Sequence, residues 1–248
     1  MIGTPCRTTL FCDFDGPIVD VSERYYATYR QSLAEMQDIL RRKNYNHCNT
    51  LTREQFWSLK QHRIPDFEIA LRSGVPEQHI DDFLIIVRQL VNQPSLLHLD
   101  TLQPGVRWAL ELMNSQGVRL VLVTLRQQTQ VINILRQHQL DHLFKAVWGT
   151  HETSIAYANS SDCKTALLKQ AWELDCATYG QPQYAWMVGD TEADVVAGKA
   201  HHIGTVALTC GIRSRAYLQQ YQPDHICEDL VSVTHSLVSS AQSTSVVS

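Results

Sequence analysis

Four aspartates in two short acidic clusters are the residues of this sequence best suited to chemistry. Asp13 and Asp15 come directly after one apolar run of the chain. Asp190 and Asp194 come just after another, far away in the sequence. A buried parallel strand delivers the residues that follow it to the carboxyl edge of its sheet, where open α/β folds bind their ligands. Four carboxylates gathered there would repel one another, so the pattern predicts a shared cation.

The chemistry of the ligands indicates which cation this is. Carboxylate and carbonyl oxygens are hard ligands that suit Mg²⁺, which commonly shares its coordination sphere with a substrate phosphate. An aspartate can itself attack phosphorus to form an aspartyl-phosphate, which divides one difficult displacement into two easier ones. The two clusters therefore favour Mg²⁺-assisted phosphoryl transfer.

The elements that must position these aspartates alternate between strands and helices. The strand patterns end at Cys12, at Val123, at Val188 and at Leu208, with a short apolar segment at 146–148 and a weak edge strand around Ile226. Helical periodicity covers 106–113, 131–135 and about 164–174. This alternation predicts an α/β fold, a Rossmann-like doubly wound parallel sheet with helices on both faces.

Residues from about 18 to 96 show helical periodicity instead. Ser22 is a predicted helix cap, Thr52 and Gln55 form a capping-box pattern, and Pro76 is a predicted helix start. The Ser-rich segment from Ser239 lacks a core pattern and predicts a frayed end. The expected domains are an α/β core (1–17 and 97–240), an inserted all-helical cap domain (18–96) and a flexible tail (241–248).

Composition limits the partners of the chain. Its 248 residues are 44% hydrophobic and 19% charged, with a net charge of -4, which argues against a general nucleic-acid or anionic-membrane surface. Seven scattered cysteines without zinc-type spacing are typical of reduced thiols. With no leader and no apolar stretch of roughly 20 residues, we expect a cytoplasmic protein. We expect it to be a monomer or a homodimer. Its partner would be a small phosphorylated metabolite, with no nucleic acid and no membrane.

With these residues in place, the chain resembles the haloacid dehalogenase (HAD) superfamily. The resemblance covers residues from about 8 to 235 and rests on four motifs in the right order, at Asp13-x-Asp15, Thr124, Lys164 and Asp190. It is closest in character to the phosphatases whose helical cap is inserted after the first motif. It implies a Mg²⁺-dependent phosphatase, and phosphoglycolate phosphatase is the favoured narrower implication.

The resemblance also implies a catalytic role for each motif residue. Asp13 is the implied nucleophile, and Asp15 the general acid that protonates the leaving oxygen and then activates water. Residues two apart in extended backbone point the same way, so both carboxylates can face one phosphate. The Thr124 hydroxyl would bind a phosphoryl oxygen, and Lys164 would balance the charge of nucleophile and phosphate.

The implied metal site uses both acidic clusters. Mg²⁺ would be held by the Asp13 carboxylate, the Asp15 backbone carbonyl and the Asp190 carboxylate. Asp194, in the first turn of the helix that Thr191 is expected to cap, would be an additional ligand or an outer support.

The sequence departs from the family pattern at two places. Pro17 stands where relatives usually have a residue with a backbone N–H, so the connection between core and cap loses a donor. Leu125 and Arg126 follow Thr124 where many relatives place a small polar residue. Either a phosphate contact is missing at Leu125, or Arg126 supplies it as a bidentate fork.

Several alternatives share the motif order. A phosphomutase would keep all four motifs, whereas a dehalogenase attacks carbon, normally needs no metal and lacks an acid at the position of Asp15. A phosphonate hydrolase would need a cap lysine that forms a Schiff base. A catalytically silent phosphate-binding protein is the alternative outside enzymes.

The cap carries six residues that could hold a second anionic group of the substrate. We expect one or two of them to reach the cleft. The candidates are Arg24, Lys43, Arg53, Lys60, His62 and Arg63.

Overall fold

A six-stranded parallel sheet forms the centre of the protein in the computed structural model, which describes residues 8–43, 45, 48–151 and 159–245. The strands are β1 (Thr8–Cys12), β2 (Val19–Asp20), β3 (Thr101–Leu102), β4 (Arg119–Gln127), β5 (Phe144–Thr150), β6 (Tyr184–Gly189), β7 (Gly204–Leu208) and β8 (His225–Cys227). The order across the large sheet is β5-β4-β1-β6-β7-β8, and every neighbouring pair is parallel. The predicted doubly wound sheet is confirmed.

Helices follow the strands and also build the cap. They are α1 (Ser22–Arg42), α2 (Arg53–Gln61), α3 (Asp66–Arg72), α4 (Ile80–Leu90), α5 (Pro94–Leu97), α6 (Val106–Ser115), α7 (Gln128–Gln137), α8 (Ser161–Tyr179), α9 (Glu192–Ala200), α10 (Arg215–Gln219) and α11 (Leu230–Ser245). None of the helices in the described ranges is both long enough and apolar enough to cross a lipid bilayer.

The central strand β1 is buried on both faces. Leu10 and Cys12 pack into one hydrophobic cluster with residues of α6, α7 and α11, and Phe11 packs into another with residues of α8 and α9. Successive side chains of a strand point to opposite faces, so both faces demand apolar residues. This explains the uninterrupted apolar run that ends where Asp13 begins, at the carboxyl edge of the sheet.

The cap has a hydrophobic cluster of its own, built mainly from α1, α2, α3 and α4. The chain leaves the core through β2 and returns through β3, and these two strands pair antiparallel, with Val19 opposite Leu102. This short pairing holds the two connections to the cap side by side, directly after the loop that carries Asp13 and Asp15.

Some elements differ from the sequence expectations. The Thr52 and Gln55 capping box is present, whereas α3 and α5 were not predicted separately, because helices of seven and four residues are too short for a clear periodicity. Pro76 precedes a single 3₁₀ turn, Glu77–His79, before α4 begins. Helix α11 continues to Ser245, so part of the segment expected to fray is helical. Residues 1–7 of the predicted core and 246–248 of the predicted tail lie outside the described residues.

Candidate active site

The ends of two adjacent strands bring the two acidic clusters together. The Asp13 backbone N–H donates to the Val188 carbonyl at 2.9 Å, which ties the loop after β1 to the end of β6. Gly16 has a φ of 96°, and a Cβ at this position would collide with the Asp190 carboxylate. The loop therefore needs glycine for its left-handed backbone and for its close approach to Asp190.

Asp13, Asp190 and Asp194 form what we call the carboxylate cluster. One carboxylate oxygen from each lies within 4.8 Å of the others, and all three residues are buried. Lys164 places its Nζ 2.9 Å from Asp13 Oδ1 and 2.8 Å from Asp194 Oδ1. Three carboxylates thus share one ammonium group, which leaves two negative charges unbalanced when all four groups are ionised.

The partners of Asp194 and Asp190 differ. Asp194 Oδ2 accepts hydrogen bonds from Thr191 N at 3.1 Å and Thr191 Oγ1 at 2.7 Å, at the start of α9. Asp190 Oδ2 accepts from the Ile212 backbone N–H at 2.6 Å. Asp190 Oδ1 is buried, and no residue in the described ranges donates to it. An orphaned anionic oxygen at such a place is costly unless a ligand or ion contacts it.

Burial and mutual repulsion shift the proton affinity of the cluster. Burial, with the charge of Asp194, raises the pKa of Asp13 to about 7 against the opposing effect of Lys164. Burial and the charges of Asp13 and Asp194 raise the pKa of Asp190 well above its ordinary value. Burial alone would lower the pKa of Lys164, but the charges of Asp13 and Asp194 raise it, so its ammonium form is held.

The residues present fit a Mg²⁺ ion. The donors are hard carboxylate oxygens that lie within 4.8 Å of one another, and Asp190 supplies an oxygen without a partner among the described residues. A dication bound there would offset the two unbalanced charges. Asp13 and Asp190 are the carboxylates best placed to hold it, because Asp194 is already engaged by Lys164 and Thr191.

Asp15 lies in a different electrostatic setting, which we call the Asp15 network. Arg126 Nη1 lies 2.9 Å from Asp15 Oδ1, and Arg24 Nη2 lies 3.1 Å from Asp15 Oδ2. Both arginines also pair with Asp100, at 2.7 Å from Arg126 and 2.8 Å from Arg24. Although burial would raise it, the pKa of Asp15 is lowered by Arg126 and Arg24.

Thr124, the residue of the second motif, lies inside strand β4 and not after its end. The sequence placed Thr124 at the end of a strand closing at Val123, but β4 runs on to Gln127, with an irregular register against β5 between Val123 and Gln127. Thr124 is buried and its Oγ1 accepts from the Arg126 backbone N–H at 3.2 Å. The Leu125 carbonyl accepts from Thr150 Oγ1 at 2.9 Å, which pins this segment to β5.

A small cleft of about 60 Å³ lies between the core and the cap. Its floor includes Asp13, Asp15 and Asp190, and one wall contains Thr124, Leu125 and Arg126. Of the six cationic cap candidates, Lys60 and Arg63 line the cleft, in agreement with the expectation of one or two. Lys164 lies behind Asp13 in the second turn of α8, which begins earlier than predicted, at Ser161.

Sequence reasoning missed three charged residues around this cleft. Asp100, in the return connection from the cap, gave no local signal. Glu192 was part of the second acidic cluster but received no role, and it pairs with Arg213 at 2.8 Å. Arg213 follows β7 at the same sheet edge, so the rule that located Asp190 could have located it too.

Comparisons with known proteins agree with this architecture. A family model described as Haloacid dehalogenase-like hydrolase matches residues 10–208. A phosphoglycolate phosphatase from Aliivibrio fischeri is 34% identical over 131 residues, which span 53% of this chain and 54% of that protein. The chain thus spans about half the length of this relative.

Two further matches extend over nearly the whole chain. The pyrophosphatase PpaX from Bacillus mycoides is 24% identical over 230 residues, covering 90% of this chain and 93% of that protein. A solved haloacid dehalogenase-like family hydrolase from Streptococcus pneumoniae superposes with a TM-score of 0.66 at 20% identity, covering 93% of this chain and 98% of the other. The family and the hydrolase class expected from the four motifs are confirmed, and the chain belongs to the haloacid dehalogenase-like hydrolase family.

Proposed function

We propose that the protein is a Mg²⁺-dependent phosphatase that hydrolyses a small phosphate monoester through an aspartyl-phosphate. The observation that carries this proposal is the carboxylate cluster, in which buried negative charge exceeds the positive charge of Lys164. A dianionic phosphate would be repelled from such a site without a metal. Bound Mg²⁺ would neutralise the cluster and polarise the phosphoryl oxygens, which is the main requirement of phosphoryl transfer.

In the first step, an Asp13 carboxylate oxygen attacks phosphorus and the bond from phosphorus to the leaving oxygen breaks. The leaving oxygen takes a proton from Asp15 and departs as an alcohol. In the second step, water attacks the phosphorus of the aspartyl-phosphate while Asp15 takes one of its protons. Inorganic phosphate is released and the Asp13 carboxylate is restored.

The Asp15 network bears on the two halves of this cycle differently. Its ion pairs with Arg24 and Arg126 hold Asp15 as a carboxylate, the form that accepts a proton from water in the second step. The first step requires the protonated form, which becomes accessible when an arginine moves away. Arg24 belongs to the cap, so cap movement and the protonation of Asp15 are coupled in this proposal.

Three side chains are assigned to the phosphoryl group. Lys164 Nζ lies 2.9 Å from Asp13 Oδ1 and Thr124 lines the cleft, so we assign to both the phosphate contacts that the family motifs imply. Arg126 is buried and lines the cleft, and its Nη2 donates a hydrogen bond to no described residue. We assign to Arg126 the polar contact that the apolar side chain of Leu125 lacks.

The cleft favours a compact substrate. The cleft is small, about 60 Å³, while the cap is in the observed position. The relatives named phosphoglycolate phosphatase and pyrophosphatase PpaX suggest substrates of this size. We therefore propose a small phosphorylated metabolite, with phosphoglycolate as the first compound to assay.

The test is phosphate release from a panel of small phosphate monoesters, with Mg²⁺ or with EDTA, for the wild-type protein and Asp13→Asn. We expect hydrolysis that requires Mg²⁺ and is lost in Asp13→Asn by a factor of at least about 10³. Asp38→Asn is the matched control, because Asp38 is an exposed cap residue paired with Arg41. Activity that survives EDTA would favour dehalogenase-type chemistry, and no hydrolysis of any compound would favour a phosphate-binding role.

A further inference from the structure

Part of the cleft lining, which includes Arg63 and Arg213, carries the opposite charge from the carboxylate cluster. Arg63 Nε lies 2.9 Å from Glu192 Oε1, and Arg213 Nε lies 2.8 Å from Glu192 Oε2. Asn159 Nδ2 donates to Glu192 Oε1 at 3.2 Å. Two guanidinium groups thus share one carboxylate, which leaves one positive charge in excess. We call Arg63, Arg213 and Glu192 the cationic end of the cleft.

Arg63 lines the cleft and still has unused hydrogen-bonding capacity among the described residues. Glu192 engages its Nε, whereas no described residue accepts a hydrogen bond from either of its Nη nitrogens, and its side chain is 42% exposed beside the cleft. The Glu192 carboxylate is 8% exposed, so it is a fixed support that orients the guanidinium fork. Such a fork matches the geometry of a carboxylate or a phosphate.

The backbone of Arg63 is also unusual. Its φ is 60°, the left-handed region that glycine normally occupies just after a helix. The Arg63 N–H donates to the Lys60 carbonyl and the Ile64 N–H to the Leu59 carbonyl, both at 3.0 Å, so the conformation is fixed by the end of α2. Gln139 and His202 adopt the same conformation after their helices, so the helix end fixes the point from which the Arg63 side chain extends.

The core braces this end of α2. Arg213 Nη1 donates to the Lys60 carbonyl at 3.2 Å, and the Ser214 backbone N–H donates to the Gln61 carbonyl at 2.9 Å. Arg213 is almost fully buried, and its partners among the described residues lie in the core or in this turn of the cap. The position of Arg63 over the cleft is therefore set from both domains.

Other cationic residues of the cap are engaged elsewhere. Lys60 pairs with Asp66 at 2.9 Å, and Arg53 pairs with Glu23 at 3.0 Å. Arg24 is held within the Asp15 network. Among the cap cations that line the cleft in the described ranges, Arg63 is the one with terminal nitrogens available to an incoming group.

We propose that Arg63 is a specificity-determining residue that binds a second anionic group of the substrate, a carboxylate or a second phosphate carried close to the scissile phosphoryl group. This inference rests on the proposed phosphatase function. The substrate would span the cleft, with its phosphoryl group at the carboxylate cluster and its second anion at the cationic end. Discrimination against substrates with a neutral head group is then set by one cap side chain.

The test compares the kcat/KM for phosphoglycolate with that for 2-hydroxyethyl phosphate, which has a neutral head of similar size. Pyrophosphate is assayed alongside to distinguish a carboxylate from a second phosphate as the preferred group. The wild-type protein should prefer one of the two anionic substrates, and Arg63→Gln should lower that preference by about 10- to 100-fold, the effect expected for a charge-assisted hydrogen bond. Arg63→Lys should restore part of it.

Two further variants protect the test from a folding artefact. Arg63→Gly should remove the same preference without loss of thermal stability, because glycine adopts a φ of 60° readily. Arg72→Gln should leave the preference intact, since Arg72 is a similarly exposed cap arginine paired only with Glu68.

A wild-type enzyme that hydrolyses the neutral compound as efficiently as both anionic ones overturns the role of Arg63 and leaves the phosphatase proposal standing. Equal losses on all three substrates in Arg63→Gln also overturn it, and absence of any hydrolysis defeats the phosphatase proposal itself.

Discussion

The carboxylate cluster and the Asp15 network are two groups of charged residues that border the same cleft. Negative charge is in excess in the cluster, whereas the charges of the network balance. The cluster has three carboxylates against the ammonium of Lys164, whereas the network has the carboxylates of Asp15 and Asp100 against two guanidiniums. The pKa of Asp13 and that of Asp190 are raised and the pKa of Asp15 is lowered, whereas burial raises the pKa of Asp100 against the opposing effect of Arg24 and Arg126.

The difference separates a site that needs a ligand from one that serves as structure. Buried charges that are matched by fixed partners hold a conformation, and removing one partner leaves the other uncompensated. Buried charges of one sign store unfavourable energy that a counter-ion can relieve on binding. The balanced Asp15 network ties the cap to the core, and the unbalanced carboxylate cluster is the basis of our proposal that the protein requires Mg²⁺.

The largest expected effect on phosphate release comes from increasing the charge imbalance of the carboxylate cluster. Lys164→Met removes the ammonium that pairs with Asp13 and Asp194, so phosphate release should fall by at least about 10³-fold, because charge neutralisation of the phosphoryl group is lost. Lys169→Met is the control, since Lys169 lies on the same helix, is exposed and pairs only with Glu173. Equal activity of the two variants would contradict a role for Lys164 at the phosphate.

Removing one charge from the balanced Asp15 network should lower the free energy of unfolding. Arg24→Met leaves Asp15 and Asp100 with one guanidinium between them, and we expect a loss of about 3 to 5 kcal/mol in the free energy of unfolding. The measurement is urea unfolding, with Arg41→Met as the control on the same helix, where an exposed pair with Asp38 predicts a change below about 1 kcal/mol. A neutral result for Arg24→Met would show that the network contributes little to holding the cap.

The pH dependence of stability should separate the two groups further. Without metal, the pKa of Asp13, raised to about 7, means that this carboxyl binds more protons in the folded than in the unfolded state between about pH 4 and 7, and the raised pKa of Asp190 acts in the same direction. Stability of the metal-free protein should therefore fall as the pH rises from about 5.5 to about 7, by about 2 kcal/mol for Asp13. Urea unfolding in EDTA at pH 5.5 and about pH 8 checks this, and a stability that rises with pH across this window would reverse the assignment.

Much of the site followed from the sequence because strands of a parallel sheet end at one edge. Asp13 and Asp190 could be placed together from that rule alone. The Asp15 network could not, because Arg24 and Asp100 lie at opposite ends of the cap insertion and meet each other only through tertiary packing. No local pattern of residues reports such a contact.

The other features that the sequence did not predict have similar physical causes. Strand β4 passes beyond Val123 through an irregular register with β5, which periodicity does not reveal. The short helices α3 and α5 are held by the packing of the cap and carry little periodic signal of their own. Arg63 could be named as one of six cationic candidates, but its selection needed the pairing of the other cap cations to be known.

Mg²⁺ binding measured by calorimetry at pH 8 tests the central claim most directly. The account predicts that the wild-type protein binds Mg²⁺ with a proton release that grows as the pH is lowered toward about 7, the pKa of Asp13. It predicts that Asp190→Asn, which replaces the buried carboxylate whose Oδ1 has no partner among the described residues, loses this binding while remaining folded. Absence of Mg²⁺ binding by the folded wild-type protein, or undiminished binding by Asp190→Asn, would contradict the account.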